Sequence, residues 1–185
     1  NTYLLLVQLF YDIDDIVQAR DQLGLAEQHY RKAHFSLNRI YFFRALLTDD
    51  LHQKTAWIKK SILYGGNDWA LTLQDYTNLS ELLVKTGDVK GAMRACDAGA
   101  ELISKHLQGN VYFTTLLYIA RAKVSYAQGD YIRTISTIDS LKPYAKMLDG
   151  ETFMLDAYYL MWKCYDKLGK QPQAYLALKQ YQQQY

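Results

Sequence analysis

Cysteine, proline, histidine and excess charge are all scarce in this chain, and each scarcity removes a class of function. The two cysteines of the 185 residues, Cys96 and Cys164, stand singly at helix-packing offsets with no metal-like pair spacing, as buried inert thiols do. Four histidines, His29, His34, His52 and His106, are scattered. His29 and His34 are five residues apart, which on a helix points them in different directions, so they cannot form a joint site of the H-E-x-x-H kind. No G-x-G-x-x-G or Walker loop is present to cradle phosphates. A net charge of +2, scattered along the chain, is too small to draw nucleic acid or an anionic membrane. The longest apolar run, Tyr3 to Val7, is far too short to span a bilayer, and no basic stretch precedes it as in a signal peptide. Asp12, Asp14 and Asp15 suggest a cation loop, but the Gly and closing Glu of an EF-hand are missing, which favours a helix-capping turn. Asn78-Leu79-Ser80 matches a glycosylation triplet, yet it falls mid-helix with Leu79 toward the core and reads as chance. The expectation is a protein with no catalytic residues, no cofactor and no metal.

What is present is repetition. Three breaks, Lys85-Thr86-Gly87-Asp88-Val89, Ala127-Gln128-Gly129-Asp130-Tyr131 and Lys167-Leu168-Gly169-Lys170-Gln171, are each followed, five residues after the Gly, by Ala92, Thr134 or Ala174. The glycines lie 42 and 40 residues apart, a period typical of stacked helical or solenoid units. Two weaker copies precede them. Sliding the pattern upstream without gaps sets Ala56 and Leu51 opposite Ala92 and Gly87, then Ala19 and Asp14 opposite those. Further breaks fall at Gly65-Gly66-Asn67-Asp68, Gly109-Asn110 and Asp149-Gly150-Glu151.

The offsets within each unit are helical. Tyr158, Met161, Trp162 and Tyr165 follow steps of three and four and share one helix face; Ala174, Leu178 and Tyr181 repeat this beyond the break. Gly at the break can end one helix in a left-handed conformation, and the following Asp can cap the next. Pro172 sits near a helix start, where its missing N–H matters little, whereas Pro143 is expected to kink or end the helix begun near Tyr131. No run alternates with period two, so no strand is expected. The reading is all-α: ten helices in five antiparallel hairpins, with approximate units 1–35, 36–66, 67–109, 110–149 and 150–185 in a single domain. At 50% hydrophobic residues the chain can bury a substantial core, and most of its seventeen tyrosines fall at packing offsets. Because the sequence begins at Asn1 rather than Met, it is expected to belong to a longer protein.

These residues resemble the tetratricopeptide repeat (TPR) family, whose first helix carries an aromatic, Leu, Gly or Ala, then Tyr, ahead of a Gly-Asp/Asn-Tyr turn and an Ala-rich second helix. Tyr118, Ala122, Tyr126, Gly129, Asp130 and Tyr131 match one copy, with Thr134 in place of the usual Ala. Leu79, Gly87, Asp88, Ala92 and Gly99 match a second, and Tyr158, Tyr165, Gly169 and Ala174 a third. The closing Pro of the standard repeat is absent, and the spacings exceed the family's period, implying helices about one turn longer. The resemblance implies a right-handed α-solenoid.

It also implies a concave groove lined by the first helix of each hairpin. Transferred by register, its lining comprises Gln8, Tyr11 and Asp12; Tyr41, Ala45 and Thr48; and Gln74, Thr77, Glu81, Val84 and Lys85. It continues through Leu116, Ile119, Lys123 and Tyr126 to Tyr159, Lys163, Asp166 and Lys167. Such a mixed wall suits an extended peptide or a partner helix. Ile119, Tyr126 and Tyr159 are expected to form an apolar floor, and Lys123, Lys163 and Lys167 a basic rim. Some relatives grip a C-terminal carboxylate with Lys and Asn, but those places hold Tyr41, Ala45, Thr77 and Glu81, which speaks against that mode. The leading expectation is a protein–protein interaction scaffold that binds neither nucleic acid nor membrane. A second reading is the sensory or regulatory part of a larger bacterial signalling protein; a helical enzyme ranks last. The compartment would be the cytoplasm by default, or the periplasm for a membrane-anchored sensor. The first helix, with Tyr3-Leu4-Leu5-Leu6-Val7, is apolar nearly all round and is expected to be covered by upstream sequence or by a second copy of the chain.

Overall fold

A helix needs a start signal, a covered face and a stop, and this chain provides them repeatedly. The fold is taken from a computed structural model, which describes residues 2–148 and 151–183, the side chains of 151–153 excepted. Among the described residues there are ten α-helices and no strand: α1 Thr2–Asp12, α2 Ile16–Lys32, α3 Asn38–Leu46, α4 Leu51–Leu63, α5 Trp69–Lys85, α6 Val89–His106, α7 Val111–Ala127, α8 Tyr131–Met147, α9 Glu151–Lys167 and α10 Gln171–Gln183. The chain divides into two compact units, Asn1–Leu79 and Ser80–Tyr185, with the division inside α5. In the first unit α1 packs on α2 and α3 on α4, with α2 meeting α3. In the second, α7 packs on α8 and α9 on α10, while α6 meets α7, α8 meets α9, and α7 also touches α9.

The starts are side-chain caps. Asp15, Asp88 and Asp130 accept hydrogen bonds from the amides of Gln18, Gly91 and Arg133 at 3.1, 2.8 and 3.0 Å. Asp50 and Asn110 do the same for Gln53 and Phe113 at 2.7 and 3.1 Å. Each cap satisfies an otherwise orphaned amide and contributes about 1 kcal/mol. The residue before the cap sits in the left-handed region at Gly87, Gly129 and Gly169, with φ of 85°, 77° and 68°. In the first hairpin Asp14 takes that place with φ 61°, a conformation Asp tolerates better than most side chains. The Asp12–Asp15 run is thus a capping turn. Asp149 and Gly150, where the last break between hairpins was expected, lie outside the described residues.

Burial follows the distance from the cap. Four residues on, Ala19, Ala92 and Thr134 are fully buried and Ala174 nearly so; eight residues on, Leu23, Cys96 and Ile138 are buried. This register corrects the gapless alignment of the second hairpin. Asp50 is the cap of α4, Leu51 is its first helical residue, and Ala56 is exposed. Asp50 lies 38 residues before Asp88, so Lys54 occupies the place of Ala92, and Ile58 and Ser61 those of Cys96 and Gly99. The α3–α4 turn closes without any positive-φ residue, which is why no glycine marked it. Pro143 is a second correction, because α8 runs through it to Met147. Asp139, whose carbonyl Pro143 has no N–H to meet, lies on the exposed side of α8, while buried Leu141 and Ala145 hold the last turn in place.

The core of the first unit joins Val7, Ala19, Leu23, Ala26, Tyr30, Ile40 and Phe43; that of the second includes Ile138, Leu141, Met154, Leu160, Met161 and Ala177. Each large apolar side chain removed from water contributes roughly 1.5–3 kcal/mol. The first helix divides its apolar surface: Leu4 and Val7 are buried, whereas Leu5 is 70% and Leu9 53% exposed.

One polar group sits oddly in the first unit. Asp75 of α5 is fully buried and neither of its carboxylate oxygens has a hydrogen-bond partner. The neighbouring Ser61 hydroxyl gives its proton to the Asn38 carbonyl at 2.9 Å. Burial raises the Asp75 pKa, Ser61 lowers it somewhat and the charge of Asp68 raises it again, leaving it at about 7.

Candidate protein-interaction face

In the second unit α7, α9 and α10 gather partly exposed aromatic side chains around Tyr159. Tyr159, on α9, is 37% exposed and touches Trp162 one turn on, with ring centroids 5.6 Å apart. Tyr181 of α10 approaches the same ring at 5.5 Å. The Lys163 ammonium lies 4.9 Å from the Tyr159 ring centre, and its hydrogen bond with Tyr159 raises the lysine pKa. Tyr126 of α7 lies near enough to sense the charge of Lys163, and its ring meets Tyr131 at 5.6 Å. Burial raises the Tyr126 pKa, so its hydroxyl stays protonated and able to donate. The result is a half-exposed aromatic cluster around one cation, with large contact area and few rotors to freeze on binding.

Lys123 behaves differently from the expected rim. Its ammonium is held between Glu81 of α5 and Asp156 of α9, both at 2.8 Å. Burial lowers its pKa, but the hydrogen bonds with Asp156 and Glu81 outweigh this and raise it overall. The lysine ties three helices together and brings more negative than positive charge to its own neighbourhood. The basic rim therefore reduces to Lys163 and Lys167, with Asp166 beside them, because a cation shared by two carboxylates has no field left to attract an acidic partner.

The other expected residues are distributed as follows. Leu116 and Ile119 are half-buried, and Ile119 packs against the core of the second unit. Asp166 and Lys167 are exposed. In the first unit Gln74 is exposed, but Tyr41 and Thr77 are buried. Tyr41 lies against Trp57 at 5.7 Å and 11° and meets Tyr64 at 5.3 Å, so it offers little face to a ligand. Sequence reasoning overlooked Trp162, Tyr181 and Asp156 as parts of this surface. The first two obey the packing period that marks core residues, and the pairing of Asp156 with Lys123 joins positions far apart in the chain.

Reactive chemistry finds no foothold at the cysteines. Both thiols are buried, and burial raises the pKa of Cys96 and lifts that of Cys164 to about 11, so neither supplies a thiolate at neutral pH. No cluster of three or more His, Cys, Asp or Glu able to hold a metal occurs among the described residues. No helix among them is long and apolar enough to cross a membrane.

Paired helices with capped turns and small buried residues at fixed offsets define a TPR-like helical-repeat fold. The chain is similar to two crystal structures of a kinesin-light-chain-like protein of Podosopora anserina built from nearly identical TPR-like repeats, one with a single substitution. The TM-scores are 0.71 and 0.69 at 14% identity, and the matches cover 99% of this chain and 92% and 93% of those chains. At that identity the likeness establishes the fold alone. No protein-family model and no curated protein matches the sequence.

Proposed function

We propose that this protein is an interaction module that receives an extended peptide or a helix of a protein partner on the face formed by α7 and α9. The observation that carries this reading is Tyr159, a large aromatic left half-exposed in a cluster with Trp162, Tyr181 and Lys163. Buried aromatic anchors supply most of the affinity in such contacts, and peripheral charges mainly set rate and selectivity. With Lys123 neutralised by Glu81 and Asp156, the face favours an apolar or aromatic anchor next to a single acidic group rather than a strongly acidic segment.

The test is a peptide selected against the purified chain from a random display library and measured by calorimetry. Tyr159→Ala is expected to weaken its binding by about 1–2 kcal/mol, as for a central anchor. Lys163→Ala should act chiefly on the association rate and its salt dependence, and Lys179→Ala on α10 should change little. Equal affinity for Tyr159→Ala and the parent would defeat the proposal.

A further inference from the structure

The first unit contains a cavity that the α7–α9 face does not involve. It is open to solvent, holds about 250 Å³ and is lined by Arg20, Leu23 and Gly24 of α2, Arg44 of α3, Leu47 and Thr48 after it, and Trp57 of α4. That is smaller than the roughly 300 Å³ at which pockets for whole small molecules begin, and about right for one side chain.

Two arginines line this space. Arg20 has one hydrogen-bond partner among the described residues, the Leu47 carbonyl at 3.0 Å, although a guanidinium carries five N–H donors. Arg44 pairs with Glu27, lies over the Trp57 ring at 4.8 Å, and keeps a buried Nε without a hydrogen-bond partner. Glu27 is shared with Arg31, and although burial raises its pKa, the hydrogen bonds from Arg31 and Arg44 bring it below the usual carboxylate range. Lys60 adds a third cation on Trp57 at 4.5 Å. Glu27 thus stands as one carboxylate among four cations. Asp50 is committed to the Gln53 amide, and Asp49 is not part of the lining.

The remaining walls are Leu23, Leu47, the indole of Trp57 and Thr48, whose hydroxyl is given to the Arg44 carbonyl at 2.6 Å, and Gly24 adds no side chain. A ligand that satisfies both halves needs a short apolar stem ending in a planar acid, the chemistry of a Glu side chain. A free phosphate would satisfy the guanidinium groups but leave the apolar walls bare. We propose that this cavity accepts an acidic side chain, Glu in preference to Asp, from a protein partner, through fork-type hydrogen bonds to Arg20 and Arg44. The site is independent of the proposed anchor at Tyr159.

The probes are a blocked peptide, acetyl-Leu-Glu-Leu-amide, its Gln counterpart, and inorganic phosphate, titrated into the labelled chain. NMR would follow the arginine Nε–H signals and the Trp57 indole N–H. The Glu peptide is expected to shift the Arg20, Arg44 and Trp57 signals saturably at millimolar concentration, and the Gln peptide to leave them in place. Arg20→Ala should weaken binding roughly tenfold, the worth of a hydrogen bond to a charged group. Gly24→Leu keeps every charge and improves helix propensity, so it should fold at least as well while filling the cavity and abolishing the shifts. Equal response to both peptides, no saturable response up to about tenfold above the millimolar range, tighter binding of phosphate than of the Glu peptide, or undiminished binding by Gly24→Leu would each overturn the assignment.

Discussion

The hairpins α3–α4 and α7–α8 reach one architecture by different chemistry. In α7–α8 two helices of 17 residues meet at Gly129, φ 77°, with Thr134 fully buried four residues beyond the Asp130 cap. In α3–α4 the helices are 9 and 13 residues long, and partly exposed Lys54 sits where Thr134 does. Tyr41, Trp57 and Tyr64, bridged by Arg44 and Lys60, hold the elements together instead. The small residue that does approach the partner backbone is Ser61, fully buried one turn beyond Ile58, whose hydroxyl donates to the Asn38 carbonyl of α3 at 2.9 Å. The pocket lies beside Trp57, between the side chains of this hairpin and α2.

The largest expected effect is in pH response, at Asp75 of α5, which packs beside the first of these hairpins. Asp75 faces Ser61 of α4 and senses Asp68, and with a folded pKa of about 7 against 3.8 it binds a proton in the folded chain that the unfolded chain has released. Its contribution is therefore fully present below about pH 4 and is lost as pH rises toward 7, by at most roughly 4 kcal/mol. A protonated Asp75 has a hydrogen to offer the Ser61 oxygen, and the carboxylate has none. Glu27, with its lowered pKa, acts below this window. Denaturant melts between pH 5 and pH 8 should show stability falling with pH in the parent and nearly flat in Asp75→Asn, with the variant more stable at pH 8. A parallel slope in both proteins would remove Asp75 as the cause.

A steric exchange between the hairpins comes next. Thr134→Leu should cost about 1–3 kcal/mol, because the added atoms enter a site with no space between α8 and its neighbours. Lys54→Leu, the same end product at the matching place in α4, should stay within about 0.5 kcal/mol. Thermal melts of the two variants decide whether the register counted from the caps is right, since equal losses would show that Lys54 also fills a tight contact.

The smallest expected effect is in the turns. Gly129→Ala should cost about 1 kcal/mol, because a Cβ in the left-handed region is strained even where, as here, nothing crowds it. Asp49→Gly, just before the Asp50 cap, should give no gain, since the α3–α4 turn has no positive-φ residue for glycine to relieve. A stabilised Asp49→Gly would mean that this turn shares the geometry of the others.

Much of the helical layout can be read from the residues, because caps, glycines and three-to-four spacing are local signals. The breaks at Gly87, Gly129 and Gly169 each separate two helices, and Asp88 and Asp130 cap as their position suggests. The misreading of α3–α4 had a definite cause: without a glycine, a gapless slide had no anchor and fell two residues out of register. The candidate face was less legible. Tyr41, Tyr126 and Tyr159 obey similar periods, yet one is buried under Trp57, one is half-buried and one stands 37% exposed. Period tells which side of a helix a residue occupies, not what another helix lays over it.

The sequence by itself determined the breaks at Gly87, Gly129 and Gly169 and the small residues Ala92, Thr134 and Ala174 beyond them, since capping and backbone conformation depend on a few adjacent residues. Only the tertiary structure decided that Lys123 would be neutralised by Glu81 and Asp156, that Asp75 would be enclosed without a partner, and that Arg20, Arg44 and Trp57 would surround one cavity. Charge pairing, desolvation and pocket shape depend on side chains that meet across helices, and no local pattern encodes those meetings.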